Sequence, residues 1–121
     1  MQKHLLLILV IFSLTACGFS PDKGEVKTLV NQALEIDCPS DFTILKSYNA
    51  RAMDDYLEAV VIEFSKESYT SFKNQIDLVQ WTQNDINDNE YVYTKELGER
   101  YSAIITVNAN NHRLRYERFH K

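Results

Sequence analysis

Glycine is nearly absent: the 121 residues contain only Gly18, Gly24 and Gly98, far apart in the chain. A phosphate-cradling loop or a G-x-S-x-G nucleophile elbow needs clustered glycines, so neither can form. Histidine is equally scarce. His4 falls in an apolar N-terminal segment, which leaves His112 and His120. An extended strand would hold these two roughly 27 Å apart, so they cannot share a metal, and no H-E-x-x-H zinc pattern exists. A histidine-based triad has little to draw on. Cysteine is limited to Cys17 and Cys38, and the formal charge is −4 at pH 7. An acidic chain is a poor nucleic-acid binder. Together these absences describe a non-catalytic protein with no cofactor, no metal and no nucleic-acid partner.

The N-terminal segment is distinctive. Lys3 precedes an unbroken apolar run over residues 5–12. A membrane-spanning helix needs roughly 20 apolar residues, so this run fits the hydrophobic region of an export signal instead. The residues that follow, Leu14-Thr15-Ala16-Cys17, resemble the bacterial lipobox. That resemblance implies a lipoprotein signal peptide over residues 1–16, cleavage between Ala16 and Cys17, and a diacylglyceryl group on the Cys17 sulfur. In many bacteria the new α-amine is acylated as well. Each buried methylene contributes about 0.8 kcal/mol, and two or three acyl chains are enough for stable anchoring.

The implied place is the cell membrane or the outer membrane, with the domain facing the periplasm or the exterior. Gly18 resembles the outer-membrane default, since an Asp at that position tends to retain lipoproteins at the inner membrane. The mature chain has about 105 residues, one domain by size. Residues 17–24 read as a lipidated N-terminus and short polar tether, and residues 25–121 as a single domain. With Cys17 lipidated, Cys38 is the only thiol left and no internal disulfide can form.

Periodicity then sets the elements. Asp22 and Glu25 have capping-box spacing. Over residues 25–36, Val26, Leu29, Val30, Ala33 and Leu34 form one helical stripe, with Pro39 as the terminator. Residues 42–48 alternate, with Phe42, Ile44 and Tyr48 on one face, and residues 49–55 read as a polar connection. Residues 56–64 read as a strand buried on both faces. Ser65 caps a second helix whose stripe is Tyr69, Phe72, Ile76 and Val79, with Trp81 near its end. Residues 82–89 read as a polar loop. Three strands follow over residues 91–97, 101–109 and 112–119, with turns at Gly98 and at Asn110-Asn111, where asparagine tolerates positive φ. Pairing Ala109 with His112 sets Val107 opposite Leu114 and Ile105 opposite Tyr116.

The fold class is therefore α+β: two helices packed on one face of a mostly antiparallel sheet, in the order α-β-β-α-β-β-β. Cystatin-like, NTF2-like and several inhibitor or immunity-protein folds have related element orders, and no residue motif selects among them.

Five features carry candidate chemistry. Cys38, beside Asp37 and Pro39, reads as a half-buried cysteine at a helix end, lacking the nearby base or positive charge that activates a thiolate. Asp54, Asp55 and Glu58 cluster ahead of a strand and read as a solvated turn. The stretch from Asp85 to Glu96 resembles a calcium loop at Asp85, Asn87, Asn89 and Glu96, but Glu90 stands where that loop requires glycine, so the Asp/Asn content reads as turn chemistry. Arg113 and Arg115 share a face of the last strand and offer either a docking surface or protection of a sheet edge. Tyr91 and Tyr93 share a strand face beside the acidic loop and join them as candidate interface residues, since tyrosine gives large contact area at low entropic cost. The reading that combines these is a membrane-anchored binding module for an envelope or secreted protein, inhibitor and immunity roles included. The alternatives are a structural lipoprotein and a small-ligand binder with a pocket between helix and sheet.

Overall fold

A computed structural model describes residues 19–52, 55–83 and 89–120. Helix α1 (Lys23–Leu34) opens on the capping box: the Glu25 N–H donates to Asp22 Oδ1 at 2.8 Å, and the Asp22 N–H donates to Glu25 Oε1 at 3.4 Å. These bonds satisfy orphan donors of the first turn and start the helix ahead of the expected boundary. Pro21 is buried and Phe19 packs against the core, so residues 19–24 belong to the folded unit and do not form a free tether. The helix stops before Pro39 is reached. Glu35 adopts a left-handed conformation (φ 57°), and its N–H donates to the Asn31 carbonyl.

Strands β1 (Phe42–Ala52) and β2 (Asp55–Phe64) form an antiparallel hairpin. The residues expected to be a polar connection extend both strands instead, because Asn49, Ala50 and Arg51 find partners in Glu58, Leu57 and Tyr56. Helix α2 (Lys66–Asn74) begins at Ser65, whose Oγ accepts from the Ser68 N–H at 3.2 Å. It is shorter than its stripe suggested: Ile76 lies beyond its end, and a 3-10 turn over Leu78–Gln80 carries the chain to Trp81.

Four strands follow: β3 (Thr82–Gln83), β4 (Glu90–Glu96), β5 (Tyr101–Asn108) and β6 (Arg113–His120). The two-residue β3 lies where a loop was expected, so the order is α-β-β-α-β-β-β-β, one strand longer than the sequence reading. All six strands pair antiparallel in the spatial order β1-β2-β6-β5-β4-β3. Val107 faces Leu114 and Ile105 faces Tyr116, the register expected from the sequence. The hairpin turn differs in detail. Positive φ falls on His112 (58°) and not on Asn110 or Asn111. Asn108 Oδ1 instead accepts from the Asn110 and Asn111 N–H groups, while the His112 ring stacks on Tyr69 at 4.6 Å.

Strand alternation sorts the sheet into two faces. One, the core face, carries Phe42, Val60, Ile62, Phe64, Ala103, Ile105, Val107, Leu114 and Tyr116. These form one buried cluster with Val26, Val30 and Ala33 of α1 and Tyr69 and Phe72 of α2. Burying a side chain of the larger sizes contributes about 1.5–3 kcal/mol. Among the described residues, the other face, the outer face, contributes only Ala59 and Thr106 to the buried ones. Among the described residues, no helix is long and apolar enough to cross a membrane.

Candidate functional site

A bulge in β1 builds the outer face. Ile44 pairs with Ile62, but Lys46 pairs with Val61, so Leu45 is the extra residue. From there the alternation of β1 is inverted relative to β2. Tyr48, expected on the face of Phe42 and Ile44, lands opposite Ala59 on the outer face. Leu45 and Tyr48 are two of the three large hydrophobics that remain exposed among the described residues, at 40% and 38%. Bulges that re-aim side chains in this way are over-represented near functional sites.

Arg113 and Arg115 lie on the same face, and β6 is the third of six strands. Neither arginine protects an edge, which removes the structural explanation open to the sequence. Each is instead flanked on both sides. Arg115 sits between Val61 and Thr106, and Arg113 between Glu63 and Asn108. With Lys46, Tyr48 and Asn111 they border a groove of about 220 Å³. Arg113 Nε approaches Glu63 Oε1 at 3.6 Å, and Arg115 Nε donates to Glu117 Oε1 at 3.1 Å. Both arginine side chains stay nearly half exposed. The Arg113–Glu63 pair is exposed on both sides and contributes about 0–1 kcal/mol, so an incoming carboxylate can replace it with little loss. Lys46 lies over the Tyr48 ring at 5.7 Å.

Tyr91 and Tyr93 do not join this site. Their Cα partners Val107 and Ile105 place them on the core face, where both are half-buried against the cluster and Tyr93 stacks on Trp81 at 5.3 Å. The fold therefore splits the four candidate residues between two faces of the sheet. Lys46 and Tyr48 were missed because a single-residue bulge inverts their strand, and a bulge leaves no mark in the hydrophobic pattern.

Cys17, Asp54 and residues 84–88 lie outside the described residues. Within the calcium-like stretch, Glu96 accepts from the Ser102 hydroxyl at 3.2 Å and the Asn89 carbonyl accepts from the Ala109 N–H. Glu58 faces a cation and not a second carboxylate: Arg118 donates to its Oε1 from both Nε and Nη2. Burial works against the Arg118 charge, but the hydrogen bond and charge of Glu58 more than offset it, holding the guanidinium above its ordinary value.

Cys38 is fully buried, not half-buried. Its N–H donates to Asn31 Oδ1 at 2.6 Å and its thiol faces the Pro39 carbonyl at 3.5 Å. Burial, eased by Lys27 and reinforced by Asp37, pushes the thiol up to about 11 from 9.0. Such a thiol is inert towards electrophiles at neutral pH. The linkage has a definite sign. The unfolded chain releases this proton first, so the contribution is whole below pH 9 and is lost as pH rises through about 11. The expected loss by pH 11 is about 2 kcal/mol. It is measured as the difference in denaturation midpoint between pH 8 and pH 11 for the wild type against Cys38→Ala, whose slope should be shallower. Equal slopes would show that the thiol titrates normally.

Comparison with protein families, characterised proteins and solved structures finds no match to this chain.

Proposed function

We propose that this protein is a lipid-anchored, non-catalytic binding module that docks an envelope or secreted protein on the outer face of its sheet. The observation that carries this reading is the position of β6. Its two exposed arginines stand in the middle of a sheet face, where they serve neither the core nor an edge. Both helices, in this reading, cover the core face and leave the outer one open. The groove is smaller than the 300–1,000 Å³ usual for small-ligand pockets, which favours a protein surface over a small molecule at this place. Arginine and tyrosine are the residue types that dominate interface energetics, and here Arg113, Arg115 and Tyr48 line the same groove. An inhibitor or immunity-type role belongs to this class.

The test is a crosslinking pull-down from native membranes using the full precursor. Wild type should capture a dominant stoichiometric partner. Arg113→Glu with Arg115→Glu should reduce capture at least tenfold, the loss of about 1.4 kcal/mol or more expected when interface cations are reversed. Both side chains are surface groups, so the circular dichroism spectrum should not change. Capture that is unaffected by the double substitution would remove the outer face from the interface.

A further inference from the structure

At one end of the core face the buried cluster gives way to a row of aromatic and cationic side chains. Arg51, Tyr56, His120 and Tyr101 lie side by side on β1, β2, β6 and β5. They touch in pairs: Arg51 lies over Tyr56 at 5.2 Å, and Tyr101 meets His120 edge-on at 5.1 Å. Arg118, one step further in, lies over Tyr101 at 5.5 Å. Tyr101 is 39% exposed, the third large exposed hydrophobic. The row joins the start of the domain. Arg118 and Phe19 line one open hollow of about 620 Å³ together with Gly24, Glu25, Thr28 and Leu29.

Phe19 is docked on the core, and Cys17 is two residues before it in the chain. Two residues reach at most about 7 Å. The headgroup layer on each side of a bilayer is about 5–8 Å deep. If Cys17 carries the lipid, Phe19 must therefore sit at headgroup depth, and the domain has no slack with which to stand away. We infer that the domain rests on the bilayer that holds its own anchor, with the Phe19–Arg118–Tyr101 end in the headgroup layer and the Asn110 turn pointing away. This inference rests on the lipoprotein reading.

The chemistry suits that depth. Tyrosine and arginine place an apolar body in the interface and a polar tip in water. The acidic groups nearby are mostly engaged: Asp22 and Glu25 in the capping box and Glu58 with Arg118. Glu99 remains exposed beside Tyr101, so the contact is aromatic more than electrostatic. A fixed stance would also hold the far end of β6, with Arg113, roughly 24 Å from the His120 end. The outer-face groove at that end would then be presented to partners clear of the membrane.

The test uses the lipidated full chain in vesicles of phosphatidylethanolamine and phosphatidylglycerol containing a nitroxide lipid. An environment-sensitive fluorophore is attached at Glu99→Cys or, as control, at Asn110→Cys. The buried Cys38 thiol does not compete for the label. The label at position 99 should be quenched several-fold more than that at 110, and adding Tyr56→Ser with Tyr101→Ser should remove most of the difference. Equal quenching at both positions in acylated protein would overturn the docking and leave the lipoprotein reading intact. Undiminished quenching after the tyrosine substitutions would overturn the aromatic contact. A blue shift at position 99 in native membranes but not in pure-lipid vesicles would assign this end to a protein instead. Absence of acyl mass on the N-terminal peptide would overturn the lipoprotein reading itself, and the docking with it.

Discussion

Replacing Phe72 with alanine is expected to lower the unfolding free energy by about 4 kcal/mol. Phe72 is completely buried and stacks on Phe64 at 5.0 Å, with Tyr69 at 6.3 Å. Helix α2 has nine residues, too few to be stable alone, and its buried side chains are Tyr69 and Phe72. Removing the larger contact opens a cavity against β2 and leaves Tyr69 and the Ser65 cap to hold the helix. Small domains have only about 5–15 kcal/mol in all, so the variant should melt roughly 20 °C lower. Phe72→Leu, which keeps most of the volume, should lose far less. Urea denaturation followed by tryptophan fluorescence reads both, because Trp81 is buried in the same cluster. A loss below about 1 kcal/mol for the alanine variant would place Phe72 outside the core.

Cys17→Ala is expected to abolish lipid attachment without changing the stability of the domain. Acylation needs the sulfur, and each acyl chain contributes through many methylenes at about 0.8 kcal/mol apiece. Without the thioether the precursor should keep residues 1–16 and run as the longer form. Mass spectrometry of the N-terminal peptide decides the matter. The wild type should begin at Cys17 and carry diacylglyceryl mass, while the variant should carry none. A wild-type peptide that begins elsewhere, or lacks the added mass, would reduce the lipobox to a chance match. The melting temperature of the two forms should agree, since Cys17 precedes the first core residue, Phe19.

Much of the fold was readable from local chemistry. The side chains of Asp22 and Ser65 bond to backbone groups three residues on, so the second helix start could be placed without knowing the tertiary context. The first was marked by its capping-box spacing, although the apolar stripe put it two residues late. The β5–β6 register was also legible, because adjacent strands joined by a tight turn pair by geometry and apolar facing alone. Helix ends were less so. The α1 stripe runs through Leu34, and Glu35 then takes a left-handed conformation that nothing in its side chain announces. Strand β3 consists of two exposed residues paired with β4, and such a short element leaves no periodic signal.

The candidate site divides along the same line. That Arg113 and Arg115 share a face follows from a period of two and needs no structure. Whether that face lies at an edge or in the middle of the sheet depends on the pairing of β2 with β6. That pairing joins Glu58 to Arg118 across 60 residues of chain. Non-local pairing is chosen by the summed burial of the whole core, which no window of sequence contains. The parity of Tyr48 was set in the same way, by one bulged residue that the β1–β2 pairing absorbs at Leu45. Local hydrogen bonding and alternation thus determined all the longer elements and the faces within the strands that carry no bulge. Tertiary packing decided which faces came together, and so brought Tyr48 beside the arginines and left Tyr91 and Tyr93 against the core.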